Sequence, residues 1–269
     1  MVAVEGELLR QLQMTELEML IEVDRICRKY HIQYSLDGGT LLGAVRHGGF
    51  IPWDDDADII MLRGEYEKFY KVCKKELDTE RFFLQDHRTD KQYLWGFAKM
   101  RRNNTTFLRE GQEHVKCHTG VCIDIFYCDN IPDGYFLRRL HFFCCFCIRK
   151  GQYSMVGRKT EKSRFLRAWY FLLSRIPRDF WFRLLDILAR ITNRKQTRLV
   201  RHVTYPFPKQ CCFGMPRKFF DTYMDKDFEG HSFKIFKHYD KYLKMLYGDY
   251  MVMPPPEERQ VHPASKVSL

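Results

Sequence analysis

The sequence predicts a mixed α/β (α+β) fold: a mixed sheet flanked by helices, with a helical subdomain inserted before the C-terminal segment. Three observations predict it. Apolar residues recur on a helical period through 6–30, and short β-rich segments then alternate with helical ones as far as residue 134. Residues 135–200 turn helical, aromatic and strongly basic. The expected divisions are a core at 1–134, a basic helical subdomain at 135–200 and a C-terminal segment at 201–269 that packs back on the core.

In GELLRQLQMTELEMLIEVDRICRKY (6–30), Leu9, Leu12, Leu17, Leu20, Ile21, Val23 and Ile26 fall largely on one helical stripe. The strand IQYSL (32–36) leads into a Gly-Gly-Thr turn at 38–40. TLLGAVRH follows as a short helix, stopped by Gly48-Gly49. ADIIML (57–62) reads as a strand and 64–77 as a helix. RFFLQD (81–86) and LWGFAKMRR (94–102) read as strands, NNTTF (103–107) as a turn and edge, and VCIDIFYCD (121–129) as the last clear strand before the IPDG turn.

Pro177 separates two further helices. In EKSRFLRAWYFLLSRI (161–176), Arg164, Arg167 and Arg175 share an arc of roughly 80°, with Leu166, Trp169, Tyr170, Leu173 and Ile176 opposite. A solvated Arg face and a surface resting on an anionic membrane or a lipid-linked acceptor both account for this pattern.

The chain has 269 residues, 45% hydrophobic and 29% charged, a globular composition. Its net charge of +11 suits an acidic partner such as a nucleotide, a nucleic acid, a phosphorylated substrate or an anionic membrane. A basic surface without a specific ligand suits it too. The ten cysteines, with Cys144, Cys145 and Cys147 crowded in an apolar run and Cys211 beside Cys212, read as mostly reduced, buried thiols of a cytoplasmic protein. The N-terminus lacks a signal core, and the longest apolar runs, such as 140–148, fall short of the roughly 20 residues that span a bilayer. An integral membrane protein is not expected.

Chemistry concentrates in Leu36–Met61, which holds Asp37, Asp54, Asp55, Asp56 and Asp58. Two unit charges 4 Å apart repel by about 4 kcal/mol in a partly buried site, so a divalent cation is the simplest counter-charge. On an extended chain Asp54, Asp56 and Asp58 share one face, while Asp55 points away. Asp124, flanked by β-formers in VCIDIF, is the natural third carboxylate. Asp56, Asp58 and Asp124 are therefore the expected catalytic and metal-binding set, with Mg²⁺ or Mn²⁺ favoured by oxygen ligands. Asp54 and Asp55 take a supporting, capping or turn role, Asp54 facing the site. Gly38, Gly39 and Thr40 would seat a phosphate. Arg46 and His47, with Lys99, Arg101 and Arg102, would contact a pyrophosphate or lie solvated on the surface. A small turn for phosphates beside an Asp-x-Asp strand for metals is the logic of a nucleotidyltransferase site.

GGTLLGAVRHGGFIPWDDDADI resembles the signature of the LicD family of phosphotransferases, related to fukutin and the fukutin-related protein. The resemblance extends to GVCIDIFYCDNIPD (120–133) and to FEGHSFKIFKHYDKYLKMLYGDYMVMPPPEER (228–259). It implies a nucleotidyltransferase-like core. It also implies transfer of phosphocholine from CDP-choline to a sugar hydroxyl of a teichoic acid or lipopolysaccharide precursor, with CMP leaving. CDP-ribitol and CDP-glycerol are the alternative donors, and the acceptor would be lipid-linked. On this reading Asp124 also draws the proton from the acceptor hydroxyl. The zinc-binding cysteine loop of the fukutin-related protein has no evident counterpart before the Gly-Gly-Thr turn, and Cys117, His118 and Cys122 are a weak substitute for one.

Choline cannot accept a hydrogen bond and needs aromatic faces or carboxylates. Trp53, Tyr93, Trp95, Phe97 and Tyr127 are candidates for that cage, with Tyr247, Asp249 and Tyr250 from the tail. A cytoplasmic enzyme, peripheral at the inner face of the cell membrane and without a nucleic-acid partner, is the overall expectation. The reading from another class is a basic nucleic-acid- or membrane-surface-binding protein with structural aspartates; no recognition motif of that class is present.

Overall fold

The structure, a computed structural model, describes residues 2–206, 211–259 and 261–269. Of the expected C-terminal segment, residues 207–210 and 260 lie outside the described residues. Helix α1 (Gly6–Lys29) buries Leu9, Leu12, Leu17, Leu20, Val23 and Ile26, while Ile21 stays exposed. The apolar stripe packs on a mixed sheet in the order β1 (Ser35–Leu36), β2 (Asp58–Leu62), β6 (Cys122–Ile131), β4 (Ala98–Arg102), β3 (Phe82–Gln85). Helix α2 (Gly38–Arg46) links β1 to β2, and α3 (Arg63–Glu76) links β2 to β3. The β2–β6 pair is parallel; the pairs of β1 with β2, β6 with β4 and β4 with β3 are antiparallel.

Strand β6 organises the molecule. Its first half pairs with β2 and β4, and Asp129–Ile131 pairs with β7 (Leu199–Arg201), which pairs in turn with β8 (Met215–Pro216). Neighbours on both edges and cover on both faces explain its nearly continuous burial. The C-terminal region closes over the sheet: the hairpin β9 (Tyr223–Phe228) and β10 (His231–Phe236) contributes Phe228, Phe233, Ile235 and Phe236 to the main core. Strand β5 (Thr106–Arg109) pairs with β11 (Ala264–Ser268). The edge expected at NNTTF is thus covered by the chain's own tail, which meets the aggregation hazard of an open edge.

Three helices leave this body: α4 (Tyr135–Thr160), α5 (Arg164–Leu173) and α6 (Arg178–Thr192). Cys145, Ile148, Phe182, Leu185 and Val203 form a separate apolar cluster between α4, α6 and the segment after β7. A buried polar clip ties the end of α6 to the sheet. Asp129, fully buried on β6, accepts from Arg63 Nε (2.5 Å) and Nη2 (2.6 Å) and from Asn193 Nδ2 (2.5 Å).

Several boundaries differ from the sequence reading. Strand β1 is two residues rather than five, and Ser35 Oγ accepts from the Phe236 amide (3.0 Å) of β10. Trp95, Gly96 and Phe97 lie before β4, not inside it. Gly38, Gly39 and Thr40 are the first turn of α2 itself. In α5 Trp169 is half-exposed and only Tyr170 is buried, so the expected inward side of that helix faces largely outward. All ten cysteines are free, and each is buried or partly buried.

Candidate active site

The site forms where α2 begins, β2 begins and β6 passes behind it. Asp58 opens β2. Its amide donates to Thr40 Oγ1 (2.8 Å), its carbonyl accepts from the Asp37 amide (2.9 Å), and the Asp124 amide donates to the carbonyl of Ala57 (2.8 Å). In the parallel register Asp58 lies opposite Asp124, so both side chains project from the same face of adjacent strands. The alternation expected for 54–58 holds: Asp54, Asp56 and Asp58 line one cleft, while Asp55 points away and is buried.

That cleft encloses about 530 Å³, within the range of small-molecule sites. Asp37, Gly38 and Gly39 line it with the three aspartates, Phe126, His202, Tyr205, Pro206, Tyr242, Leu246, Tyr247 and His262. Gly38 has a positive φ of +51°, and a Cβ there would sit 3.2 Å from Asp58 Oδ2. A Cβ on Gly39 would sit 2.5 Å from Asp54 Oδ2. The two glycines therefore let carboxylates press against the start of α2, where backbone N–H groups, that of Gly38 already turned to the Asp37 carboxylate, and the helix dipole favour negative charge.

The carboxylates remain frustrated. Burial, then repulsion from Asp56 and Asp55, pushes Asp54 up to about 8. Burial and the neighbouring Asp56 and Asp124 hold Asp58 well above the usual carboxylate range, and its Oδ1 is buried without a hydrogen-bond partner. Burial also raises Asp56, against the opposing pull of His262 and Arg109, whose Nη2 lies 3.6 Å from Asp56 Oδ2. Asp37 is raised by burial to about 6 and accepts from the Tyr242 hydroxyl (2.5 Å). Beneath the cluster Glu16, on the buried stripe of α1, has one carboxyl oxygen without a partner, and burial raises it well above its usual range. An orphaned carboxylate oxygen among mutually repelling carboxylates is the donor set that suits a hard divalent cation.

Among the described residues, one set of three side chains offers ligand atoms within 4.8 Å of one another: Asp55, Asp56 and His262. The His262 amide donates to Asp55 Oδ2 (2.8 Å), and its Nδ1 lies 2.9 Å from Asp55 Oδ1 and 3.4 Å from Asp56 Oδ2. The expected triad is not drawn to one point. Asp124 is paired with the Lys99 ammonium, which partly neutralises it and holds it back from the cleft lining.

Other expected contacts also lie elsewhere. Thr40 is buried and spends its hydroxyl on the Asp58 amide. Arg46 donates to the carbonyl of Tyr250 (2.8 Å) and to His47 Nε2 (3.0 Å), so this pair fastens the tail and does not line the cleft. Arg101 donates to Gln85 Oε1 (2.7 Å) and to the carbonyl of Gly120 (2.5 Å), and with Lys99 lines a smaller neighbouring hollow. Arg102 turns to Glu18 (3.1 Å). Each guanidinium has found a fixed acceptor.

The aromatic candidates divide in the same way. Tyr93 and Tyr127 are core, Trp95 and Phe97 line the smaller hollow, and Trp53 packs under the Arg259 guanidinium (4.1 Å). Tyr250 bonds to Asp240 (3.0 Å), and neither it nor Asp249 lines the cleft. Tyr247 does line it, and the rings missed from sequence are Phe126, Tyr205 and Tyr242, with Phe126 and Tyr205 4.9 Å apart. His262 and Glu16 were missed as well. Glu16 had a visible signal: an acid among the buried positions of the apolar stripe of α1.

Comparison with known proteins agrees with this architecture. The family model described as "LicD/FKTN/FKRP, nucleotidyltransferase domain" matches residues 31–141, the segment from β1 to the start of α4 that supplies every cleft carboxylate. The lipopolysaccharide cholinephosphotransferase LicD of Haemophilus influenzae is 30% identical over 94% of this chain and 95% of its own length. The ribitol 5-phosphate transferase FKRP of human and of mouse is 61% identical over 28 residues, 10% of this chain and 6% of that protein. With the end-to-end similarity to the Haemophilus protein, and with the matched segment forming the acidic cleft, this chain belongs to the LicD family.

Proposed function

We propose that this protein transfers phosphocholine from CDP-choline to a sugar hydroxyl of a cell-envelope glycan precursor, of lipopolysaccharide or teichoic acid type, releasing CMP. The observation that carries the reading is one cleft combining the first turn of α2, the carboxylates Asp54, Asp56 and Asp58, and the rings of Phe126, Tyr205, Tyr242 and Tyr247. The helix start suits a phosphate, the carboxylates suit a divalent cation, and aromatic faces with acid nearby suit a quaternary ammonium. The name of the Haemophilus relative points the same way.

In this reading Asp56 and Asp58 would hold Mg²⁺ or Mn²⁺, with Asp124 beside Asp58 in the sheet and paired to Lys99. The cation, when bound, supplies the charge that lets neighbouring carboxylates ionise together and stabilises the leaving pyrophosphate oxygen. The amides of Gly38 and Gly39 orient the phosphate. The acceptor oxygen attacks the phosphorus that bears choline, the bond from that phosphorus to the bridging oxygen breaks, and CMP departs with the electron pair. Positioning and charge stabilisation do most of the work in such in-line displacements. The acceptor proton passes to Asp56, which lines the cleft, rather than to Asp124, which Lys99 holds. The free thiols, all at least partly buried, suit a cytoplasmic place of work, next to a lipid-linked acceptor.

The test is CMP release by purified protein given CDP-choline, a divalent cation and envelope glycan acceptor. Acceptor-dependent CMP release that Asp58→Asn abolishes is the expected result, and turnover unaffected by that change removes the site assignment. A polyol donor is the second reading, favoured by the FKRP match. Calorimetric titration of CDP-choline against CDP-ribitol and CDP-glycerol separates the two.

A further inference from the structure

The helical layer has a feature that the transfer reaction does not use: α4, α5 and α6 each turn an apolar stripe outward. On α4, Phe136, Leu140 and Phe143 recur at i, i+4 and i+7, and Phe136 is 84% exposed. On α5, Phe165, Trp169 and Leu172 repeat that spacing, and Phe165 is 81% exposed. On α6, Phe180, Ile187 and Ile191 form the third stripe. Exposed apolar faces of this kind mark interaction sites.

Cations flank the stripes. At 100° per residue, Arg164 falls beside the α5 stripe and Arg183 and Arg190 beside the α6 stripe, while Arg175 and Arg194 follow the C-terminal ends of these two helices. Residues 135–200 hold sixteen lysines and arginines against three acids, an excess larger than the +11 of the whole chain, so the remaining residues are net acidic. Two copies meeting through this layer would set two strongly basic surfaces against each other. An anionic bilayer answers both features, accepting aromatic and Leu side chains below its headgroups and Arg side chains among its phosphates. No helix among the described residues is long and apolar enough to cross a membrane, so the contact lies in the plane of the interface.

We propose that α4–α6 seat the protein on the surface of an anionic membrane. This goes beyond the transfer reaction and does not depend on it. It would keep the cleft beside an acceptor carried by lipid.

The test is co-sedimentation of the full chain with phosphatidylcholine vesicles, with and without phosphatidylglycerol. The wild type is expected to bind phosphatidylglycerol vesicles, to bind pure phosphatidylcholine far less, and to lose binding as salt rises. Each phosphatidylglycerol contact of a surface Lys or Arg is worth about a kilocalorie per mole, so Arg164→Glu with Arg183→Glu should weaken binding about tenfold or more. Phe136→Ser with Phe165→Ser should weaken it comparably. Because all four side chains are exposed, circular dichroism should show the wild-type fold in both variants. Trp169 emission should shift to the blue on vesicles, and a Trp169→Phe variant should lose that shift. Absence of wild-type binding, equal binding by the variants, or a dimer that the variants dissociate while vesicle binding persists would each overturn the proposal.

Discussion

Asp58 and Asp124 stand in register across the parallel β2–β6 pair, 66 positions apart in sequence, with their side chains on the same face of the sheet. Asp124 carries the counter-charge of Lys99, whereas an oxygen of Asp58 has no partner. One carboxylate is neutralised by the protein. The other waits for a positive charge from outside.

Replacing Asp58 by Asn should therefore separate function from stability. Turnover should fall by roughly a hundredfold or more, as for loss of a principal electrostatic group in a site. The Tm of the metal-free protein should not fall, because Asn replaces a carboxyl group whose charged form is buried without compensation. Steady-state CMP release and thermal denaturation in EDTA measure the two effects, and parallel losses in both would contradict this account.

Lys99→Met has the opposite signature. The Lys99 and Asp124 side chains are 8% and 9% exposed, so removing one partner strands the other as a buried charge. Breaking such a pair costs about 3–5 kcal/mol. Adding Asp124→Leu should recover much of that loss without restoring activity, which urea unfolding of the single and double variants would show.

The raised carboxyl groups make stability depend on pH in one direction. Asp37 sits at about 6 and Asp54 at about 8 in the folded protein, against 3.8 for the free side chain. A group raised in this way contributes stability that is fully present below pH 3.8 and lost as pH rises through its folded value. The metal-free protein should lose stability as pH climbs from about 4 to about 8. Mg²⁺ should flatten the decline, and Asp54→Asn should remove its upper part. Tm values taken across this window with EDTA or Mg²⁺ check the sign.

Tyr205→Ala and Tyr247→Ala test the donor. A cation over an aromatic ring contributes about 0.5–2 kcal/mol, so each change should raise KM for CDP-choline by about tenfold and leave kcat nearly unaltered. KM for CDP-ribitol should stay within about twofold, since a neutral polyol gains little from a ring face. Equal effects on both donors would show that these rings serve general packing.

The legible part of this site is its local part. The two-residue alternation that puts Asp54, Asp56 and Asp58 on one side of an extended segment is written in the spacing of the sequence itself. So is the amphipathic stripe of α1, with Glu16 as its anomaly. Asp124 stood out because a charge inside a run of β-formers needs an external reason. The roles of the basic residues were not legible in the same way. Arg46, Arg101 and Lys99 are each claimed by an acceptor far along the chain: the Tyr250 carbonyl, the Gly120 carbonyl and Asp124.

By itself the sequence determined which carboxylates share a face, where the glycines allow close approach, and that the layer at 135–200 is basic and amphipathic. Those properties depend on periods of two and 3.6 residues, which no distant contact alters. Tertiary structure alone decided that His262 closes on Asp55 from 207 residues away, that Phe126, Tyr205 and Tyr247 wall the same cleft, and that the apolar stripes of α4–α6 face outward. A helical period states that a helix has two sides. Which side is covered depends on what the rest of the chain leaves to pack against it.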